Sequence, residues 1–196
     1  RSLSPAEVAY AYARQLPKEN ADILEKLART YNYPVTSSVK TRQDVPRLGI
    51  KAFFCSNVCA AIKRDVFEAM GRFVEPVHFN EDMFMEAKCI LAGYAVAYNA
   101  EAVVYHSHRY RIREQFRRYY ANGVSMRDNP WILPYASVHR EGTRLVRMQL
   151  DYLCRHGHWL TIPRLLAESV AKYAGFQLGK RSGRLFRYGR GGRRRA

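Results

Sequence analysis

Phe79-Asn-Glu-Asp-Met-Phe-Met-Glu-Ala-Lys-Cys-Ile-Leu-Ala-Gly-Tyr-Ala-Val-Ala-Tyr-Asn-Ala-Glu-Ala-Val-Val-Tyr-His-Ser-His108 is the stretch from which the fold is read. The acidic pair Glu81-Asp82 opens a helix. Met83, Phe84, Ala87, Ile90 and Leu91 follow at helical spacing. Gly93 stands where that helix stops, because glycine takes the left-handed cap without steric cost. Two strand-like runs come next, Tyr94 to Tyr98 and Ala102 to Tyr105, and the second leads into His106-Ser107-His108. A carboxylate pair at a helix start and a histidine pair at a strand end are thus joined by one helix–strand unit. Polar side chains at element ends can converge on a shared cleft.

Outward from this unit, Val8 to Leu16 reads as a strand, ended by Pro17, and Lys18 to Arg29 as an amphipathic helix. Asn32 to Leu48 has no clear period and reads as a long loop. Ile50 to Cys55 and Val58 to Ile62 are rich in β-branched and aromatic residues, and read as strands meeting at Ser56-Asn57. Asp65 caps a short helix through Met70, closed by Gly71. Downstream, Tyr110 to Gly123 reads as a helix with a basic face of Arg111, Arg113, Arg117 and Arg118. Beyond the breaks at Pro130 and Pro134, helices are expected over Tyr135 to Cys154 and Leu160 to Leu178. Strands covered by helices predict an α/β layered domain. No Gly-rich phosphate loop and no Asp-x-Asp lies upstream, so nothing before Phe79 holds a nucleotide by itself.

The charge is unevenly spread. The 196 residues carry a net +16, yet residues 1–108 are nearly balanced, with 13 Lys+Arg against 12 Asp+Glu. Residues 109–196 hold 20 against 5, which calls for an anionic partner: nucleic acid, anionic lipid or a sugar diphosphate. The last 17 residues, from Lys180, hold 8 Lys+Arg and no acid, and are expected to be disordered. Cys55, Cys59, Cys89 and Cys154 match no zinc spacing and read as buried small hydrophobes in a reducing compartment. Cys154-Arg-His156-Gly-His158 reads more simply as a basic helix end than as a metal site. No run approaches the roughly 20 apolar residues a bilayer crossing needs. The chain opens on Arg-Ser-Leu-Ser-Pro without methionine, which suggests a piece of something longer.

Each candidate residue has a plain and a chemical reading. Glu81 and Asp82 suit a helix N-terminus by charge alone, or one of them is a general base at a cleft rim. His106 and His108 alternate on a strand and so share a face. They are either ordinary histidines or ligands to Mn²⁺ or Mg²⁺ holding a diphosphate. Gln115 and Arg118, three apart, share a helix face. That face is either solvated or a clamp for phosphate oxygens.

The order of these residues resembles the carboxy-terminal half of a family 2 glycosyltransferase with the GT-A fold. The resemblance rests on Asn80-Glu81-Asp82, His106-Ser107-His108 and Gln115-x-x-Arg118-Tyr119, with Tyr119 where the family often has Trp. Arg14-Gln-Leu-Pro17, Pro46-Arg-Leu-Gly-Ile-Lys51 and Phe54-Cys-Ser-Asn57-Val resemble its bacterial rhamnosyltransferase branch. The resemblance implies a mixed GT-A sheet with flanking helices. Residues 1–128 would form the acceptor and catalytic half, 129–179 a basic amphipathic helical extension and 180–196 a polybasic tail. It implies Asp82 as base with Glu81 beside it, and His106 or His108 on Mn²⁺ or Mg²⁺. Gln115, Arg118, Ser56 and Asn57 would contact substrate. The donor would be a nucleotide sugar, dTDP-rhamnose favoured, and the acceptor a glycan or a lipid-linked glycan for cell-surface polysaccharide. The enzyme would work in the cytoplasm, peripherally at an anionic inner membrane face. It implies no nucleic-acid partner, and no turnover by this half alone. A basic nucleic-acid-binding module, with Tyr and Arg interleaved from Tyr105 to Tyr120, is the alternative from another class; it leaves the acids and histidines unused. A non-catalytic fragment of a transferase-like protein is the third.

Overall fold

The computed structural model describes Leu3 and residues 7–75, 77–135 and 138–182. It is a mixed α/β structure around one four-stranded sheet. The strands β1 (Val8–Leu16), β2 (Ser38–Lys40), β3 (Ala60–Ile62) and β4 (Ala95–Tyr105) lie in the order β2-β4-β1-β3. The two long central strands, β1 and β4, run parallel, and each carries a short antiparallel edge strand.

Alternation along β4 decides which face meets the core, and β1 follows it beyond the register shift between Val8 and Tyr10. Tyr10, Tyr12, Val96 and Tyr98 belong to the main core, with Phe84, Met85, Ala87 and Ile90 of helix α4 (Glu81–Leu91). Val8, Ala11, Ala95 and Ala97 form a smaller cluster of their own. Fully burying side chains such as Phe84, Met85 and Ile90 contributes about 1.5–3 kcal/mol each. The α4 helix starts from Asn80, held in the left-handed region (φ 65°) that asparagine tolerates better than most residues. It ends as expected at Gly93 (φ 98°), with the Tyr94 N–H closing back on the Cys89 carbonyl at 3.0 Å.

Helix α1 (Ile23–Asn32) covers one end of the sheet, and helix α5 (Ile112–Asp128) leads away from the end of β4. Helix α7 (Ile162–Arg181) lies along α5 at a distance only glycine permits. A Cβ on Gly123, Gly175 or Gly179 would overlap the backbone carbonyl of Phe176, Phe116 or Tyr120 respectively. Helix α6 (Val138–Arg155) packs beside α1, where Leu24, Leu153 and Leu165 form a separate cluster. Gln149 Nε2 donates to the Leu24 carbonyl there at 3.0 Å, and Arg164 pairs with Asp22 at 2.7 Å. No described helix is long and apolar enough to cross a membrane.

Several sequence expectations need correction. The stretch 50–55 is not a strand: Gly49–Phe53 forms a 3₁₀ turn that buries Ala52 and Phe53 against the core. Asn57–Cys59 is another such turn, and only Ala60–Ile62 pairs with β1. The expected loop 32–48 contains β2 and the short helix α2 (Val45–Leu48). The helix expected from Lys18 begins only at Ile23, because Asp22 caps it through the Glu25 N–H at 3.0 Å. Asp65 lies inside the first turn of α3 (Arg64–Ala69), with Lys63 at the cap. The runs 94–98 and 102–105 are one strand with an irregularity between Asn99 and Val103, where Asn99 Oδ1 accepts from the Glu101 and Ala102 N–H groups. The helix read as 110–123 runs to Asp128. Cys55 and Cys89 are buried, but Cys59 is exposed and Cys154 half-buried; all four are free thiols. The disordered tail expected from Lys180 is corrected at its start, because Lys180 and Arg181 close α7; the remainder from residue 183 lies outside the described residues.

Candidate functional site

Asp82 sits in the first turn of α4 with both carboxylate oxygens held by backbone. Oδ1 accepts from the Met83 N–H at 2.8 Å and Oδ2 from the Asn57 N–H at 3.2 Å. Burial raises its pKa above the ordinary carboxylate value. The neighbouring Glu81 charge adds to the rise, and the two N–H groups partly offset it. Glu81 goes elsewhere: it lines an open depression with Phe73, Val74, Glu75 and Val77. Of the pair, it is Asp82 that accepts from the Asn57 N–H.

Asn57 reaches Asp82 through its backbone N–H at the start of the 3₁₀ turn Asn57–Cys59. Ser56 caps that turn, accepting from the Val58 N–H at 3.3 Å. Tyr10 of β1 donates to Asn57 Oδ1 at 2.5 Å, and Gln15 Nε2 donates to Ser56 Oγ at 2.5 Å. Tyr33, pushed up to about 12 by burial, also contacts the Ser56 hydroxyl.

From Gln15 a polar path runs across α1 to the histidines. Arg29 donates to Gln15 Oε1 and pairs with Glu25 at 3.7 Å. Glu25 accepts from the His108 N–H at 3.0 Å. His106 continues the register of β1 and β4, its N–H donating to the Leu16 carbonyl at 2.9 Å, and Ser107 Oγ accepts from the Lys18 N–H at 2.8 Å. The strand itself ends at Tyr105, so the histidines do not alternate on it, yet the turn still brings them together. Their rings meet edge-on with centroids 4.3 Å apart. Burial lowers both imidazole pKa values. For His106 the charge of Arg29 adds to this, and for His108 the neighbouring His106 and then Arg118. Both rings therefore stay neutral at pH 7, the form that ligates metal.

The path closes on the other side. His108 stacks on Tyr110, with ring centroids 4.9 Å apart. The Arg118 guanidinium lies 4.3 Å from the Tyr110 ring centroid and 4.8 Å from that of Phe79, next to the start of α4. Ser125 Oγ of α5 fixes that approach by accepting from the His78 and Phe79 N–H groups at 3.1 and 2.9 Å, and Asn80 Nδ2 donates to Asn122 Oδ1 at 2.8 Å. Gln115 stands one turn before Arg118, half-buried. The result is a ring of contacts from Asp82 through Asn57, Ser56, Gln15, Arg29, Glu25, His108, Tyr110, Arg118 and Phe79 back to α4.

The candidates read from the sequence, Asp82, Ser56, Asn57, His106, His108 and Arg118, are linked by residues that the sequence reading did not single out. Gln15 carried a signal, as a polar residue in an otherwise apolar strand. Glu25 and Arg29 stand at i,i+4 spacing on the amphipathic helix. As a metal centre the ring is partial. Two neutral imidazoles suit a divalent ion, but no group of three or more His, Cys, Asp or Glu that could hold one occurs among the described residues. Chemically, the arrangement offers a buried carboxylate of raised basicity, two imidazoles and a guanidinium, linked in series by these contacts.

No protein-family model matches the chain, and no solved structure matches it. Two curated bacterial proteins do. The chain is 45% identical over 174 residues to the O-antigen chain rhamnosyltransferase RfbN of Salmonella typhimurium, and 44% identical over 174 residues to the O-antigen chain rhamnosyltransferase WbaN of Salmonella anatum. Each match covers 88% of this chain and 55% of the relative, so the chain spans about half the length of the curated relatives it matches. At that identity, and in agreement with the motifs at Asn80–Asp82 and His106–His108, the chain is a sequence relative of the bacterial O-antigen rhamnosyltransferases.

Proposed function

We propose that this chain carries the acceptor and catalytic side of an inverting rhamnosyltransferase of family 2, built on the GT-A plan and acting in cell-surface polysaccharide synthesis. The donor is a nucleoside-diphosphate rhamnose, dTDP-rhamnose being favoured, and the acceptor is a glycan or lipid-linked glycan. The reaction takes place in the cytoplasm, at the inner face of the membrane.

In this reading the acceptor hydroxyl attacks the anomeric carbon from the face opposite the leaving group. The new C–O bond forms as the bond to the diphosphate oxygen breaks, through a transition state of oxocarbenium character. Asp82 takes the hydroxyl proton. Its raised pKa makes it a better proton acceptor than an ordinary carboxylate, and the Asn57 and Met83 N–H groups hold it in one orientation. Ser56 and Asn57 contact the sugar or acceptor beside it. Arg118 and Gln115 face the departing diphosphate, whose charge the guanidinium stabilises. A divalent ion, Mn²⁺ or Mg²⁺, held by His106 or His108 with further ligands from outside the described residues, would supply Lewis-acid stabilisation of that leaving group.

The single observation that carries this reading is the buried, backbone-clamped Asp82, joined through one contact ring to two neutral imidazoles and an arginine. The test uses a protein that carries this chain within the full span of its relatives. Nucleoside diphosphate release is followed over a panel of nucleotide sugars, with and without chelator. Asp82→Asn should lower turnover by about 10²- to 10⁴-fold. Turnover within about threefold of wild type would remove Asp82 from the role of base. Release from no donor, together with tight salt-sensitive RNA binding, would favour a basic nucleic-acid-binding module instead.

A further inference from the structure

Helix α7 is apolar on two opposite sides. Its inward side, with Leu165, Gly175, Phe176 and Gly179, is buried. The 3₁₀ turn before it and the side that faces solvent present Trp159, Leu160, Leu166, Val170 and Tyr173, exposed by 59, 98, 48, 68 and 60%. Positions 166, 170 and 173 recur at helical spacing, so they form one stripe, headed by Trp159 and Leu160. A helix apolar all round is ordinarily covered on every side. Single exposed apolar residues need no explanation, but a continuous stripe calls for an occupant.

The surrounding charge selects that occupant. Glu168 is the one acid of α7; it is buried and ion-paired with Arg164 at 2.8 Å and Lys172 at 3.6 Å, so the outward stripe carries no carboxylate. Residues 138–182 contain 8 Lys+Arg and 3 Asp+Glu. Lys180 and Arg181 are exposed at the end of α7, and Arg155 on α6 is exposed and paired with Asp151 at 2.9 Å. A second copy docked on the same face would bring two such cationic surfaces together. Nucleic acid would meet the charge and find Trp159 and Tyr173 to stack on, but it would leave Leu160, Leu166 and Val170 without an apolar partner. An anionic bilayer accepts all three features: aliphatic side chains below the headgroups, Trp and Tyr at headgroup level, and cations against phosphate.

We propose that the outward face of α7, led by Trp159 and Leu160, is the surface by which this chain docks on an anionic lipid membrane. This deepens the peripheral placement proposed above. Its test needs neither donor nor acceptor, so either reading can fail without the other. The 196-residue chain is sedimented with vesicles of phosphatidylcholine alone, or of phosphatidylcholine mixed with phosphatidylglycerol. Trp159 emission is followed in a Trp131→Phe background. The chain should bind the phosphatidylglycerol vesicles with a blue shift of Trp159, and bind phosphatidylcholine weakly. Leu160→Glu combined with Val170→Glu should weaken binding by about tenfold or more. Both side chains are exposed, so the thermal midpoint should stay unchanged and serves as the folding control. Wild-type-like binding by the double variant, an unshifted Trp159 on phosphatidylglycerol vesicles, or a concentration-dependent dimer that the double variant abolishes would each overturn the proposal.

Discussion

Replacing Lys40 with methionine is the most direct perturbation of the core beneath the candidate site. Lys40, on β2, is buried, and its Nζ lies 2.5 Å from Glu86 Oε1; the two side chains are 9 and 0% exposed. The ammonium also donates to the Phe54 carbonyl and lies 5.2 Å from the Tyr12 ring centroid. Burial pushes Glu86 up to about 7, against the opposing pull of Lys40. Lys40→Met leaves a carboxylate in the core without its cation, and breaking a buried pair in this way costs about 3–5 kcal/mol. For a domain of this size, about 2–4 °C of thermal midpoint is lost per kcal/mol, so a drop of roughly 6–20 °C is expected at pH 8. Glu86→Leu added to Lys40→Met removes the orphaned charge and should recover most of the loss. The pH dependence has a definite sign. A carboxyl whose pKa is higher in the folded than in the unfolded state favours folding when protonated. Its contribution is complete below the unfolded value of 4.5 and is lost as pH rises through about 7. The deficit of Lys40→Met should therefore shrink as pH is lowered from about 8 to about 6. Thermal unfolding followed by near-ultraviolet circular dichroism reads all three. A single-variant cost below about 1 kcal/mol, a deficit insensitive to pH, or a double variant worse than Lys40→Met would refute the reasoning.

The α5–α7 crossing predicts an asymmetry among glycines. Gly179→Ala, whose Cβ would overlap the Tyr120 carbonyl, should destabilise by about 1–3 kcal/mol in urea unfolding, whereas Gly142→Ala on α6, with nothing within 4 Å, should be neutral or stabilising by up to about 1 kcal/mol. The two imidazoles of His106 and His108 should titrate below the ordinary histidine value of 6.5 in proton NMR. Because folding disfavours their charged forms, their contribution is complete above 6.5 and declines as pH falls through that value. Midpoints above 6.5 would contradict the burial argument.

The α4–β4 unit was legible in the sequence because its signals are local. Glu81 and Asp82 suit a helix start, Met83 to Leu91 keep one period, and Gly93 alone relieves the left-handed cap. Strand β1 was legible for the same reason: its Val, Ala and Tyr residues fit a half-buried pleat. The stretch 49–62 was misread because β-branched and aromatic residues report burial as much as strand. Ala52 and Phe53 are buried from a 3₁₀ turn, which periodicity does not distinguish over so few residues. β2 is three residues long, too short for any period to register.

Residue type and order by themselves singled out the candidates for a site: Asp82, the His106–His108 pair, Ser56-Asn57 and Arg118. Only the tertiary structure decided how they meet. Parallel pairing of β1 with β4 sets Leu16 beside His106, and with it Gln15 and α1 between the histidines and Ser56. Such contacts join residues far apart in the chain: Glu25 and His108 are 83 positions apart, and Lys18 and Ser107 are 89. No spacing rule encodes them, because they follow from strand register and helix packing, which depend on the burial of the whole core at once. The same holds for Glu81, which lines an open depression with Phe73 and Val77 while Asp82 accepts from the Asn57 N–H. It holds too for α7, whose double apolar face has meaning only once its inward side is seen to be covered and its outward side is not.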